Sequence, residues 1–394
     1  MNIPVYNCPT GFEDSNYPAR DLCHVNYIFK QSVLFLVHYN NEEYNLAYKK
    51  KIRRSNVSGV NEKKNLFIGI DLGTNHTAIS TSDGKKNSIL SIVGAPKDAV
   101  ASKFLKKEHL FGEEALKHRD ALKLYRPIER GVLKIQRKSI EAAKGLVEFV
   151  LRSVNADRDV RKYAIIGVPA QASVQNKKII PEMAKDFFDG IMVASEPLCV
   201  AYNLGKFEHS LIVDIGAATT DLCRVHGARP NPEDQISSTK AGDFIDREFV
   251  KLVTKNHTKL RVTREMARLW KEKYSFVGNP DEEIIVEVPR AASVLKLSIT
   301  QEMRRACESI LPDIVSGISR LISTYDPEFQ DELRSNLYIA GGGSQIRNLD
   351  TVLEHELELI GGCKVLKTRD PVFGGAAGAL KMAIDMPKEF WQTT

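Results

Sequence analysis

The stretch NLFIGIDLGTNHTAIS, from Asn65 to Ser80, decides the fold. It begins as an apolar strand, reaches a single acid at Asp71, and turns at Gly73 through small polar residues. A carboxylate at the end of a buried strand followed by Gly-Thr-Asn fits two local structures. One is a tight hairpin with an acid in its turn, and the other is a loop shaped to hold a phosphate and its metal.

A second copy of this pattern favours the phosphate loop. GIDLGTNHTA around Asp71 and VDIGAATTD around Asp214 align without a gap as apolar, Asp, apolar, Gly, small, small, Thr. Such a repeat predicts two homologous α/β lobes that face one cleft. Ligands of such sheets bind at the carboxyl ends of the strands, where both aspartates are expected to lie.

Composition narrows the class of protein. The 394 residues are 43% apolar and 27% charged, as in a globular protein of two lobes. The net charge is +6, but residues 66–394 hold 47 Lys and Arg against 44 Asp and Glu, so we expect no nucleic-acid partner. The six cysteines form no C-x-x-C pair, which favours reduced thiols of a cytoplasmic protein. No apolar run approaches the ~20 residues of a membrane span.

Residues 1–64 differ from the rest, because they show no clear period and end in a charged stretch, KKKIRRSNVSGVNEKKN. They are expected to be a disordered extension or to follow from a start codon assigned too far upstream. A membrane-surface segment, with SVLFLV beside the basic run, is the alternative.

From Leu66 onward, strands alternate with helices, which predicts an α/β fold. LFIGIDLG, TAISTS and SILSIVG predict a β-meander, and SIEAAKGLVEFVLRSV has the apolar spacing of a helix. YAIIGVPA predicts a strand buried on both faces, and GIMVASEP and NLYIAGGG predict further strands. Helices are expected over NKKIIPEMAKDFF, around 262–275 and 298–325, and from about Gly374.

The two repeated turns suit a nucleoside triphosphate. Small residues let backbone N–H groups approach phosphate oxygens, and the turns Gly73-Thr74-Asn75 and Gly216-Ala217-Ala218-Thr219 supply them from opposite sides. Asp71 and Asp214 are anionic, so their expected role is to hold Mg²⁺ through its water shell.

A third glycine motif, IAGGGSQIRNL, occupies residues 339–349. Gly341, Gly342 and Gly343 follow a strand and would let adenine or ribose press against the backbone. Ser344 is expected to cap a helix whose N-terminus favours anions.

These motifs, in this order, resemble the phosphate-1, phosphate-2 and adenosine signatures of the superfamily of actin, heat-shock chaperone and hexokinase ATPases. Within it the chain is most similar to the bacterial actins, and among those to actins that form magnetosome filaments. The resemblance runs from about Leu66 to the C-terminus and does not include residues 1–64. The segments that carry it are FIGIDLGTNHTA, VGAPKD, GVPAQAS, SEP, VDIGAATTD, PEDQ, KAGDFID, KYSFVG, AGGGSQIRNL and DPVFGGAAGAL.

The resemblance implies an actin-like fold with mixed sheets flanked by helices. It implies lobe I at 65–209 with a small subdomain at about 95–158. Lobe II would occupy 210–368 with a small subdomain at about 235–310, and a C-terminal helix at 369–394 would return to lobe I.

The resemblance also implies roles for named residues toward ATP and Mg²⁺. Asp71 and Asp214 would organise the metal and water, Gly242 would lie near the γ-phosphate, and Lys271 and Glu272 near the ribose. The nucleoside would meet Gly341, Gly342, Gly343 and Gln345, the last standing where relatives carry an arginine. The phosphate cradle would comprise Gly73, Thr74, Asn75, Gly216, Ala217, Thr219 and Thr220.

The catalytic base is the point where the sequence departs from the rod-shape bacterial actins. They carry a glutamate where this chain has Asn176, and an amide is a poor general base. Glu196 in ASEP is the expected replacement and, with Asp214, the expected catalytic pair. The alternative is that Glu196 only forms a salt bridge.

The expected function is that of a filament-forming ATPase that turns its filaments over by hydrolysis and positions magnetosomes, with copies of itself and magnetosome-associated proteins as partners. The alternatives are a non-polymerising ATPase and a small-molecule kinase of the same fold. A kinase would need an acid to activate a hydroxyl, and GVPAQASVQNKK contains none.

Overall fold

The computed structural model describes residues 64–129, 132–156, 160–258, 260–280, 282–290 and 293–391. The expectations for residues 1–63 therefore lie outside the described residues. The strands, in chain order, are β1 Asn65–Leu72, β2 His76–Thr81, β3 Lys86–Leu90, β4 Val93–Pro96, β5 Leu110–Phe111, β6 Leu122–Tyr125, β7 Ile128–Glu129, β8 Val132–Leu133, β9 Arg161–Val168, β10 Gly190–Ser195, β11 Ser210–Ile215, β12 Thr220–Val225, β13 Gln235–Ser238, β14 Ile285–Arg290, β15 Ser293–Ser298, β16 Leu337–Ala340 and β17 Val365–Lys367.

Helices connect and cover these strands. In chain order they are α1 Ala99–Leu105, α2 Gly112–Lys117, α3 Arg137–Ser153, α4 Val174–Ala184, α5 Glu196–Leu204, α6 Gly242–Asn256, α7 Arg264–Tyr274, α8 Thr300–Glu308, α9 Leu311–Ser323, α10 Gln330–Ser335, α11 Leu349–Glu356 and α12 Gly374–Asp385.

The first large sheet has the order β10-β9-β1-β2-β3. Its β1, β9 and β10 run parallel, whereas β2 and β3 continue from β1 as an antiparallel meander. Ile68 and Ile70 of β1 are fully buried, as expected for a central strand covered on both faces. The predicted β-meander is thus present, and Asp71 lies near its first turn, opposite Ala78.

The second large sheet, with the order β13-β12-β11-β16-β17, repeats this plan. The β11 strand pairs antiparallel with β12 and parallel with β16, and Asp214 lies opposite Asp221. Each aspartate of the repeat therefore ends the first strand of an antiparallel hairpin. The α/β, actin-like architecture expected from the sequence is confirmed.

Close helix packing joins these layers. A Cβ atom added at Gly378 of α12 would lie 1.7 Å from the carbonyl oxygen of Cys199 in α5, and one at Gly69 of β1 would lie 2.0 Å from that of Ala376. The last helix therefore packs against β1 and α5 at backbone distance, which only glycine permits at these contacts.

Each sheet has its own apolar core. Around the first sheet, Ile68 and Ile166 pack with Val147 of α3. Around the second, Val213 and Ile339 pack with Ile314 of α9. Smaller sheets, β5-β4-β6 and the hairpins β7-β8 and β14-β15, lie outside these two.

Two local expectations need correction. The region 298–325 holds two helices, and α9 begins beside Pro312, which cannot donate to the preceding turn. Ser344 does not open a helix. Its Oγ donates to the carbonyl of Gly341 at 2.7 Å within a 3₁₀ turn, Gly342–Gln345, and α11 begins only at Leu349.

None of the helices in the described part of the chain is both long and apolar enough to cross a membrane.

Candidate functional site

A cavity of about 590 Å³ opens between the two hairpins of the repeat. Its size is that of a typical ligand site. With one exception, the site residues predicted from sequence line it. They are Asp71, Gly73, Thr74, Asn75, Glu196, Asp214, Gly216, Ala217, Thr219, Gly242, Lys271, Glu272, Gly341, Gly342, Gly343 and Gln345.

Thr220 is the exception. It is fully buried at the start of β12, and its Oγ1 donates to the carbonyl of Lys240 at 2.8 Å. Its side chain therefore anchors the start of β12 to Lys240 and does not line the cavity.

The first turn is held in place by Ser91. Its Oγ donates to the carbonyl of Gly73 at 2.7 Å, and its backbone N–H donates to that of Asn75 at 2.8 Å. The Oγ1 of Thr77 lies 2.9 Å from the same hydroxyl. These bonds keep the Gly-Thr-Asn backbone rigid, as a preorganised phosphate cradle requires.

The second turn meets α6 and the triple glycine. The N–H of Gly242 donates to the carbonyl of Gly216 at 3.1 Å, and Lys271 Nζ donates to the carbonyl of Gly242 at 2.8 Å. Gly341 has φ of 73°, and a Cβ there would lie 2.3 Å from Asp214 Oδ1. A side chain at Gly341 would displace the aspartate, so this position requires glycine.

Carboxyl groups crowd the floor of the cavity. Burial raises the pKa of Asp71 to about 6, and burial together with the charges of Asp71 and Asp221 raises that of Asp214 to about 8. Burial and the charges of Asp71, Asp221 and Asp214 raise the pKa of Glu196 well above its ordinary value. A bound cation would relieve the repulsion among these carboxyl groups. Together they therefore form a set of oxygen ligands suited to a cation.

This donor set fits Mg²⁺ bound through water. Within the described residues, no three His, Cys, Asp or Glu side chains are grouped so that they could hold a metal by themselves. Mg²⁺ keeps several waters and takes one or two carboxylates plus phosphate oxygens. The pair Asp71 and Asp214 fits that pattern.

The sequence predicts Glu196 within the strand GIMVASEP, but Glu196 lies one residue beyond that strand, because Pro197 suits the first turn of a helix. The strand β10 ends at Ser195, and Glu196 is the first residue of α5. A Cβ at Gly167 would lie 3.4 Å from Glu196 Cγ, which places the glutamate against the end of β9. Across the residues that the structure describes, Glu196 has no ion pair, so the salt-bridge alternative lacks support.

Asn176 has a structural role. It is 3% exposed in α4, its Oδ1 accepts the N–H of Leu133 at 2.9 Å, and its Nδ2 donates to Ser173 Oγ at 3.1 Å. It does not line the cavity, whereas Glu196 does.

Sequence reasoning missed Asp221 and His76. Asp221 is 1% exposed, and its Oδ1 accepts the N–H of Ala170 at 3.1 Å, which joins the second hairpin to the segment after β9. An acid at an inward strand position, in the TTD of the repeat, was the available signal. His76 lines the cavity, and its Nδ1 lies 3.1 Å from Asn75 Nδ2.

A family model described as MreB/Mbl protein matches residues 65–389. The actin-like protein MamK of Paramagnetospirillum magneticum strain AMB-1 is 39% identical over 331 residues, which cover 84% of this chain and 95% of that protein.

Solved structures agree with the sequence relatives. A subunit of a MamK double helical filament superposes with a TM-score of 0.80 at 38% identity, covering 82% of this chain and all of that one. A non-polymerising MamK mutant bound to AMPPNP superposes with a TM-score of 0.66 at 39% identity and the same coverage.

Proposed function

The chain belongs to the MreB/Mbl protein family, and from this premise we propose that it is a filament-forming actin that binds and hydrolyses ATP. The observation that carries the proposal is the cavity between two Asp-x-Gly hairpins closed by a triple glycine. AMPPNP, an analogue of ATP, is bound in the MamK structure that this chain resembles.

The cavity offers each part of ATP–Mg²⁺ a partner. The turns at Gly73 and Gly216 would hold the phosphates by their N–H groups, and the triple glycine would receive the nucleoside. Asp71 and Asp214 would hold Mg²⁺. When bound, the metal supplies positive charge that offsets the negative charge of the phosphates. Gly242 would lie near the γ-phosphate, and Lys271 and Glu272 near the ribose, as the resemblance implies.

Glu196 would orient the attacking water and accept its proton. Its carboxylate lies beside the end of β9 and beside Asp71, whose charge contributes to its raised pKa. Asp221 would hold the hairpin of lobe II against lobe I through the N–H of Ala170.

The likeness to MamK supports a proposal for assembly and cellular role. MamK forms a double helical filament, and we propose that this chain forms a homopolymer whose subunits join when bound to ATP and leave after hydrolysis. By the same likeness it would act in the cytoplasmic cytoskeleton, align magnetosomes and bind magnetosome-associated proteins. The lobe boundaries at 65–209 and 210–368, with 369–394 returning to lobe I, are part of this proposal.

The proposal is tested by sedimentation and electron microscopy of the purified chain with and without ATP–Mg²⁺, together with phosphate release. We expect filaments and phosphate release only with ATP–Mg²⁺. Asp214→Ala should abolish Mg²⁺-dependent turnover while keeping its fold by circular dichroism. Turnover without filaments would favour a non-polymerising ATPase, and phosphate transfer to an added sugar would favour a kinase. An unchanged rate in Asp214→Ala would remove Asp214 from the site.

A further inference from the structure

We propose that Gly375, in the first turn of α12, is a positioning residue for the carboxylate of Asp71. Because it has no side chain, it leaves the space that one carboxylate oxygen occupies, and the other oxygen stays on the side of the first phosphate turn. The proposal rests on the proposed function, because it explains how the expected Mg²⁺ ligand keeps its orientation.

Gly375 lies directly behind Asp71. A Cβ atom added at Gly375 would lie 2.7 Å from Asp71 Oδ2 and 3.3 Å from its Cγ. The first distance is too short for a carbon atom and a carboxylate oxygen, so an added methyl group would overlap with Oδ2. Asp71 lines the cavity and Gly375 does not. The glycine therefore acts on the site through the aspartate.

The two carboxylate oxygens of Asp71 lie on different sides. A Cβ atom at Gly73 would lie 3.7 Å from Oδ1, an ordinary contact distance, so Oδ1 lies on the side of the first phosphate turn. Oδ2 lies on the side of α12. A methyl group at Gly375 would push Oδ2 away and turn the whole carboxylate, because both oxygens share one carbon. Mg²⁺ demands near-ideal geometry from its ligands, so this rotation would weaken its binding.

Helix α12 is fixed in place and does not retreat from Asp71. Gly378 packs against the backbone of α5 without space for a side chain. Asp385 accepts a hydrogen bond from Tyr202 Oη of α5 at 2.6 Å. Lys381 Nζ donates to the carbonyl of Asn203 at 2.7 Å. Because a close-packed interior transmits strain, an added methyl group would displace the carboxylate and not the helix.

The segment just before α12 is fixed as well. Asp370 accepts the N–H of Phe373 at 3.1 Å and pairs with Lys86 of β3 at 3.5 Å. The same ammonium lies 4.6 Å from the centre of the Phe373 ring. The start of α12 is therefore tied to β3, the outer strand of the sheet that carries Asp71.

The substitution Gly375→Ala isolates the contact with Asp71. Alanine is favoured over glycine within a helix, and Gly375 does not have a positive φ, so the backbone conformation does not oppose the change. Gly374→Ala is the matched control, because it places the same methyl group one residue earlier, where no atom lies within 4 Å. A difference between the two variants therefore reports the contact with Asp71.

The first experiment measures binding of a fluorescent ATP analogue to the full chain during a Mg²⁺ titration and in EDTA. Gly375→Ala should need roughly 10- to 100-fold more Mg²⁺ for half-maximal binding than the parent chain or Gly374→Ala, as for loss of a group that orients a metal ligand. Binding in EDTA should not change, since the phosphate turns and the triple glycine are untouched. An unchanged Mg²⁺ dependence, or equal weakening in EDTA and in Mg²⁺, would overturn the proposal.

The second experiment measures urea unfolding of the nucleotide-free protein and tests the contact itself. Gly375→Ala should lower the unfolding midpoint. The loss should persist in the Asp71→Asn background, which keeps the shape of the side chain, and should vanish in the Asp71→Ala background, which lacks the overlapping oxygen. If Gly375→Ala alone does not fold, Asp71→Ala should restore folding. An equal loss in the Asp71→Ala background, or no restored folding, would overturn the proposal.

The unfolding experiment separates this proposal from the proposed function. If the parent chain does not bind the analogue with Mg²⁺, the proposed function fails, and the unfolding midpoints decide whether Gly375 positions Asp71. If the parent chain binds the analogue with Mg²⁺ but Gly375→Ala behaves as Gly374→Ala in both experiments, the positioning role fails and the proposed function stands.

Discussion

At the scale of the residue, Asp71 and Asp214 distinguish the two hairpins of the repeat from ordinary hairpins, because both line one cavity and carry raised pKa values. Burial raises the pKa of Asp71 to about 6, and burial together with the charges of Asp71 and Asp221 raises that of Asp214 to about 8. Strongly shifted pKa values of this kind cluster at functional sites, where buried acids are held close to one another.

The raised pKa of Asp214 predicts a pH dependence of stability. Between its ordinary value of 3.8 and about 8, the folded chain holds a proton that the unfolded chain has lost. This contribution is complete below pH 3.8 and is lost as the pH rises through about 8. Urea unfolding of the nucleotide-free chain should show stability falling by up to about 2 kcal/mol between pH 6 and 8. Asp214→Asn should flatten this slope, and an equally steep slope in that variant would contradict the assignment.

Glu196 gives the sharpest prediction for catalysis. Glu196→Gln keeps the shape of the side chain but cannot accept a proton, so hydrolysis should slow by roughly 10²- to 10⁴-fold. Nucleotide binding depends on backbone turns and should persist, so the variant should still assemble and its filaments should exchange subunits far more slowly. Phosphate release and fluorescence recovery of tagged filaments measure the two effects. Hydrolysis at the parent rate would contradict the catalytic role, and binding without assembly would contradict the order of steps.

At the scale of elements, the sequence predicts best where pattern and position agree. The β1-β2-β3 meander, helix α3 and strand β9 follow from local patterns of apolar residues alone. The loop after β16 does not, because Ser344 satisfies the carbonyl of Gly341 and Asn348 adopts φ of 62° before α11 begins. Capping residues compete for several backbone partners, and sequence alone does not show which one a side chain reaches.

Contacts between distant elements explain what else the sequence missed. Asp221 is informative only because Ala170, from another part of the chain, donates to it. Arg126 reaches the first turn only because Asn75 Oδ1 accepts a hydrogen bond from its Nη1 at 3.3 Å. Neither pairing leaves a local pattern, whereas the two Asp-x-Gly hairpins do.

The packing of α12 on α5 gives a prediction about stability. A methyl group at Gly378 would lie 1.7 Å from the carbonyl oxygen of Cys199, and backbone cannot yield as a side chain can. Gly378→Ala should therefore destabilise the fold by about 3 kcal/mol or more. Gly374→Ala, in the same helix with no atom within 4 Å of the added Cβ, should change stability by less than about 1 kcal/mol. Urea midpoints measure both, and equal effects would contradict this account of the helix contact.

At the scale of the whole molecule, the fold that the family model matches begins at β1. The family match starts at residue 65, β1 starts at Asn65, and the carbonyl of Lys64 accepts the N–H of Arg161 at 3.1 Å. The strand lies between β9 and β2, at the centre of its sheet. A chain that begins at Lys64 should therefore retain the full sheet and the complete cavity.

Deleting residues 1–63 should leave the unfolding midpoint, ATP hydrolysis and ATP-dependent sedimentation at the values of the full chain, because every residue that lines the cavity lies beyond Asn65. A chain that begins at Gly73 is the control. It lacks β1, so the sheet loses its central strand and Asp71, and it should neither fold nor bind nucleotide. If the Lys64 variant is insoluble or binds ATP but cannot assemble, residues 1–63 contribute to the body or to the subunit contact. Then the extension is a working part of the filament subunit.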